Sequence, residues 1–366
     1  MVKKHTFKTL LLAMLVITVV VTSCKKDDNS GSSPAPVVTP IATLGLYQYS
    51  QDIYKRLFIP IQIASASTST YFGVFDTGST GLTLDAEGLI PASMITTSGI
   101  TIIGDSVNVN GITIMNKPSI MAYGDAISST KEYGYLAYAT FTLGTAGVKL
   151  NTKRIPFFLY YKIVDGTGKK LDAHSSDVFG VGPGFSYASN LISSPLSYFD
   201  IPTGGTNGFK LAQLSAANFT TTGNYVAGLL TIGLIPADFT ATSGFIMHPL
   251  TYSTSGGYSA NIPATITYGS KTIDGQILFD TGTPAITVIE DKTATAIGNL
   301  PASTAVSITT NRGFKYSYTT ASTTNLTQIQ NPNNTNDYRT IFSLSFFVDN
   351  EYLTDYGNHQ IGLKNN

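Results

Sequence analysis

The 366-residue chain is expected to fold as an all-β protein with two lobes. Its composition is 42% hydrophobic and only 12% charged, with 34 glycines and 21 tyrosines, so β-branched and aromatic residues punctuated by Gly outweigh helix formers. Short apolar runs alternate with turn residues from about residue 57 onward. The triplet Asp-Thr-Gly occurs twice, as Asp76-Thr77-Gly78 and Asp280-Thr281-Gly282, each at the end of an apolar run and each followed by a hydroxyl residue, Ser79 or Thr283. A given triplet falls by chance at about one position in several thousand, so two copies in matching settings point to a repeated unit. Their separation of 204 positions is too wide for one local motif and suits two lobes contributing one each.

The amino terminus reads as a targeting segment. Lys3, Lys4 and Lys8 form a positive start, residues 10–21 are an apolar run too short for a comfortable membrane span, and Val21-Thr22-Ser23-Cys24 closes the segment with the chain's single cysteine. This order resembles a bacterial lipoprotein signal. The resemblance implies removal of residues 1–23 and lipid on Cys24. The expected location is then the outer membrane, facing the periplasm or the cell surface, with the membrane as a partner through that lipid. Lys25-Lys26-Asp27-Asp28 resembles the short charged surface-export signals of Bacteroidetes lipoproteins. Residues 24–45, with residues 29–40 rich in Ser, Gly and Pro, are expected to be a flexible tether. An uncleaved membrane anchor is the competing reading, and either places the rest of the chain outside the cytoplasm. With Cys24 taken by lipid no disulfide remains, so the domain must rely on core size, which this length permits.

The first lobe is expected over 46–215. Residues 58–63 read as a strand, 65–69 as a turn, and 71–75 as a second strand ending at Asp76. Further strands are expected at 112–122, 136–143 and 157–163. The second lobe, 216–366, repeats the style with strands at 225–234, 264–268, 276–279 and 285–289. Helical patterns are few, and only 189–199 and 292–297 are expected to form short helices.

Paired carboxylates at hydrogen-bond range cannot both ionise easily and hold one proton between them. Such a pair can activate a water for attack on an amide and return a proton to the leaving nitrogen. The triplet suits that task. Gly78 and Gly282 allow a tight turn that brings backbone N–H groups to the carboxylate. Thr77 and Thr281 can bond across to the opposite loop, and Ser79 and Thr283 can donate to the outer carboxylate oxygens. Other chemistries find little support. His5, His174, His248 and His359 are scattered without metal-ligand spacing, so no metal or other cofactor is expected, and His174 is expected to be a solvated loop residue. No thiol nucleophile remains once Cys24 is lipidated. Lys+Arg and Asp+Glu are equal at 22 each, with no basic patch, so nucleic acid is not an expected partner.

These residues resemble the pepsin-like, two-lobed aspartic peptidases. Besides the triplets, Met121-Ala122-Tyr123-Gly124-Asp125 falls where that family has its flap hairpin, with Tyr at the tip. The run from Tyr133 to Gly144 looks like the strand after the flap. Ser176-Asp177-Val178-Phe179-Gly180-Val181-Gly182 looks like the family's Asp-Gly-Ile-Leu-Gly-Leu-Gly, with Ser194-Pro195-Leu196 after it, and Gln360-Ile361-Gly362-Leu363 resembles the last strand. The resemblance covers about 57–363. It implies a central cleft, Asp76 and Asp280 as the catalytic pair, Tyr123 and Gly124 over a protein or peptide substrate, and Asp125 near the pocket for the residue before the cut, where the acid is expected to favour or tolerate Lys. Both half-sites lie in one chain, so a monomer suffices. The chain departs from the pattern in several places, among them the absence of room for a usual prosegment between Cys24 and the first expected strand. Gly81-Leu82-Thr83-Leu84 stands where the family has a tryptophan, Ile341-Phe342-Ser343 stands for Ile-Leu-Gly, and the disulfides are missing. A catalytically silent member of the fold, binding a protein or glycan, is the alternative function.

Overall fold

The structure, a computed structural model, describes residues 37–64, 69–124, 129–145 and 147–366. Cys24 and Asp125 lie outside them. The regular structure of the described chain is mostly strand, and its helical pieces are no longer than four residues. Alternation in the sequence becomes alternation in burial. In the strand Ile262–Tyr268, Ile262, Ala264, Ile266 and Tyr268 point inward, while Pro263 and Thr265 face out. The strand Thr80–Asp85 is buried on both faces, because it lies between Val178–Val181 and Val148–Val164.

Two large sheets carry the two lobes. One has fourteen strands and the other eight. The same arrangement occurs in both around each Asp-Thr-Gly. In the first, Tyr71–Asp76 runs parallel to Val178–Val181 with Asp76 opposite Gly180, and Val178–Val181 pairs antiparallel with Thr80–Asp85. In the second, Lys271–Phe279 runs parallel to Arg339–Phe342 with Phe279 opposite Phe342, and Val288 of Thr287–Glu290 pairs antiparallel with Ile341. Parallel neighbours require long crossovers, which is why about 60–100 residues separate the strands that flank each triplet. Aromatic side chains fill the space beneath. Phe75 stacks on Phe179 and meets Phe209 edge-on, and Phe279 lies 4.2 Å from Phe346 between ring centres.

One end of the larger sheet is built from both ends of the chain. Its order runs Ile246–Pro249, Gln360–Asn365, Asn350–Asp355, Thr206–Leu211, Asn224–Leu234, Ala42–Gln51. The boundary expected between 215 and 216 therefore falls between two strands that pair with each other, Thr206–Leu211 and Asn224–Leu234. The strand Ala42–Gln51 begins inside the stretch expected to be tether. Ala42 pairs with Ile232 and Leu44 with Leu230, and Leu44 is fully buried.

The expected strands form, mostly longer than read. The two expected helices do not. Within 189–199 only Pro195–Tyr198 makes a 3-10 turn, capped by Ser194 Oγ accepting from Leu196 N at 3.2 Å. Pro195 starts this turn and disfavours helix in the residue before it. At 292–297 there is no helix. Asp291 Oδ1 accepts both the N–H and the hydroxyl of Thr293, a local turn that competes with helical bonding.

Leu44→Ala should cost about 2–5 kcal/mol in a urea melt if the 42–45 segment is part of the core. A loss below about 1 kcal/mol would return that segment to the tether.

Candidate active site

Each triplet closes around its own carboxylate. Asp76 Oδ1 accepts Gly78 N at 2.7 Å and Ser79 N at 3.2 Å, and Oδ2 accepts Ser79 Oγ at 2.5 Å. Asp280 repeats this, with Gly282 N on Oδ1 at 2.7 Å and Thr283 Oγ1 on Oδ2 at 2.6 Å. The threonines then join the loops. Thr77 N donates to Thr281 Oγ1 and Thr281 N to Thr77 Oγ1, both at 3.0 Å. Thr77 Oγ1 donates to Phe279 O at 2.8 Å, and Thr281 Oγ1 to Phe75 O at 2.6 Å. Both threonines are buried, so these bonds do not compete with water.

This bonding sets the carboxylates face to face. A Cβ added at Gly78 would lie 2.5 Å from Asp280 Oδ1, and one at Gly282 would lie 2.6 Å from Asp76 Oδ1. Only glycine permits that approach. Burial, and next the charge and hydrogen bond of Asp280, push the Asp76 carboxyl well above its usual range, against the lowering effect of Ser79 and Gly78. The pair therefore retains a proton at pH values where a lone aspartate has lost it.

The two loops are supported differently. Gly180 stands beside the first, where an added Cβ would meet Ser79 Oγ and Gly81 O at 2.8 Å. The matching place beside the second loop holds Ser343. It fits because its hydroxyl donates to Ala285 O at 3.3 Å and its N–H reaches Thr287 Oγ1 at 3.4 Å. The second carboxylate is still held from this strand, since Asp280 N donates to Phe342 O at 2.9 Å. The departure at Ser343 thus leaves the Asp280 loop in the same geometry.

The pair lies in a cleft of about 500 Å³ lined also by Arg56, Met121, Tyr123, Gly124, Tyr187 and Arg339. Tyr123 and Gly124 end the strand Ile112–Gly124, whose partner is Ser129–Thr145, with Tyr123 opposite Thr130. The structure thus brings ten of the expected positions, Asp76 to Ser79, Asp280 to Thr283, Tyr123 and Gly124, to this one cleft. A larger cavity of about 820 Å³ lies on the second sheet, but its Asp291 is engaged by Lys271 and Tyr268 and its Asp274 by Thr265. It lacks convergent free acids of the kind the cleft has.

Four residues around the cleft escape a reading of the sequence. Thr83, from the segment that replaces the family's tryptophan, places its hydroxyl 3.3 Å from Tyr123 OH and 3.5 Å from Glu132 Oε1. Glu132 is fully buried, and its Oε2 has no hydrogen-bond partner. Burial raises its pKa well above normal, so it is held as the neutral acid. Its alternation with Gly134 and Leu136 was a legible sign of an inward side chain. Arg56 and Arg339 gave no sign, since their surroundings come from distant strands. Arg339 is gripped by Asp337 through Nε–Oδ1 at 2.8 Å and Nη2–Oδ2 at 2.6 Å.

His174 lies in a turn as expected and is partly exposed, but it is also bonded on both ring nitrogens. Its Nδ1 meets Asp177 Oδ2 at 2.7 Å, its Nε2 meets Glu87 O at 2.8 Å, and its ring packs on Tyr71. Asp177 also accepts Tyr160 OH and Asp85 N, so the partly exposed histidine sits at the edge of a buried polar cluster. The hydrogen bond to Asp177 raises His174 to about 9. Among the described residues no group of His, Cys, Asp and Glu could hold a metal ion.

No protein-family model matches the chain, and no curated protein matches it. Among solved structures, the crystal structure of aspartic proteinase from Irpex lacteus aligns with 88% of this chain and 97% of its own, at a TM-score of 0.55 and 17% identity. That likeness shows the fold: the chain has the two-lobed all-β architecture of pepsin-like aspartic proteinases, with a central cleft and a flap hairpin.

The raised groups fix the sign of the pH dependence of stability. Glu132 and Asp76 bind protons more tightly folded than unfolded, so their contribution is complete below the ordinary carboxylate range near 4 and is lost as pH rises. His174 adds a contribution present below 6.5 and lost on rising through about 9. The melting temperature should therefore fall from pH 4.5 to 8. Glu132→Gln should gain about 2–4 °C on the wild type across that interval, whatever its offset at pH 4.5. Parallel curves would show that Glu132 is not held neutral.

Proposed function

We propose that this chain is an aspartic endopeptidase that cleaves peptide bonds with water activated between Asp76 and Asp280. The observation that carries this reading is the reciprocal threonine bonding, which holds two carboxylates face to face in an open cleft. With one proton on the pair, the ionised carboxylate takes a proton from water as its oxygen attacks the scissile carbonyl carbon. The protonated carboxylate gives its proton to the carbonyl oxygen. The resulting tetrahedral diol collapses as a carboxyl proton passes to nitrogen, the C–N bond breaks, and acid and amine leave with the pair back to one proton. Ser79 and Thr283 each hold an outer oxygen, which leaves the facing oxygens for water. Tyr123, on the flap beside the pair, excludes bulk water over a bound peptide.

Cleavage of denatured protein should be strongest at acidic pH and stopped by pepstatin. Asp76→Asn and Asp280→Asn should each lower it by about 100- to 10,000-fold or more, with the fold intact by circular dichroism. A folded wild type that cleaves nothing from pH 3 to 8 would instead support a binding protein on the same scaffold.

Asp125 lies two positions after the flap tyrosine and is proposed to favour Lys before the cut. Asp125→Ala should then reduce cleavage after Lys by about 10-fold relative to cleavage after Leu. An unchanged Lys-to-Leu ratio would remove this role.

A further inference from the structure

Arg56, in the strand Tyr54–Ile63, sends its guanidinium into the cleft on the side of the second loop, where Nη1 donates to Gly282 O at 2.7 Å. That bond fixes the head group beside Gly282, Thr283 and Pro284. The next backbone contact, Lys55 N to Pro284 O at 3.0 Å, ties the same strand to the same loop. Lys55 itself points away, over the ring of Phe219.

Arg56 has no contacting counter-ion: no carboxylate among the described residues lies within ion-pair distance of it. Arg339, the other guanidinium of the cleft, is already held in a two-pronged bond by Asp337. A guanidinium carries five N–H donors and stays charged when partly buried. Arg56 spends one donor on a neutral carbonyl. The charge of the Asp76 and Asp280 pair attracts it without touching it.

A structural clamp on Gly282 would need only the single bond, which a lysine or a neutral donor also makes. A charged fork left facing an open cleft has a further use, because a carboxylate matches it in shape and sign. We propose that Arg56 makes this cleft selective for peptides that carry an Asp or Glu side chain where the chain passes the Gly282–Pro284 loop. This rests on the reading of the cleft as a peptide site and specifies which peptides it takes. The acidic side chain would stand beside Arg56, displaced along the cleft from the bond that is cut.

The test measures binding and cleavage separately. Two fluorescent peptide libraries share a central hydrophobic pair and differ only in Glu or Gln at the three positions on either side. Binding is measured at pH 6 by anisotropy to the Asp76→Asn chain, with and without Arg56→Gln or Arg56→Lys. The Asp76→Asn chain should bind the Glu library about 10-fold more tightly, with the margin shrinking at high salt. Arg56→Gln should erase the margin while the Gln library stays within about 2-fold, and Arg56→Lys should keep part of it. Equal affinities, no binding of either library, or a margin that survives Arg56→Gln would overturn the proposal. Cleavage of the libraries by the wild type reports on the peptidase reading independently. Cleavage without a Glu margin would sink the role of Arg56 alone, and acid-selective binding without cleavage would sink the peptidase reading alone.

Discussion

Two buried hydroxyls hold the cleft together. Thr77 and Thr281 each accept the other's N–H and donate to a carbonyl at the base of the opposite loop, so four bonds join segments 204 positions apart. None of the four competes with solvent, and loss of either threonine would leave a buried donor and acceptor unpaired. The carboxylates ride on the loops this cross-link joins. Their separation is fixed by backbone geometry, and the glycines at Gly78 and Gly282 leave just enough room for each to sit against its opposite. The raised proton affinity at Asp76 follows from burial and from that enforced closeness.

Around this near-symmetric centre the surroundings are unequal. The first loop is packed against Gly180, where a side chain would collide, whereas the second tolerates Ser343 because its hydroxyl finds a carbonyl. A neutral acid, Glu132, lies behind the first loop beside the threonine that meets Tyr123. A cation, Arg56, lies against the second. The centre is nearly symmetric, and the chemical differences between the two halves lie in its flanks.

Much of this was legible in the sequence. Each Asp-Thr-Gly at the end of an apolar run named the paired loops, and period-two alternation named the strands. The failures have local causes. Pro195 stops a helix, and Asp291 folds its own turn in place of another. The strand Ala42–Gln51 was partly hidden because its first residues continue a Pro- and Ser-rich stretch, and its partner lies at 224–234. Thr83, Glu132 and Arg56 were illegible as site residues for a related reason. Their meaning depends on neighbours about 40 to 230 positions away, and none carries a local pattern of its own beyond the inward parity of Glu132.

The sheet order has a consequence for how the molecule is made. Asp280 takes its backbone support from Phe342, and the six strands that join the lobes include Asn350–Asp355 and Gln360–Asn365. A chain emerging from the ribosome exposes both triplets well before these segments appear. The Asp280 loop gains its backbone bond to Phe342, and Thr206–Leu211 its partner Asn350–Asp355, only after these late residues have been made. The paired carboxylates thereby reach their final geometry only once both lobes have been made.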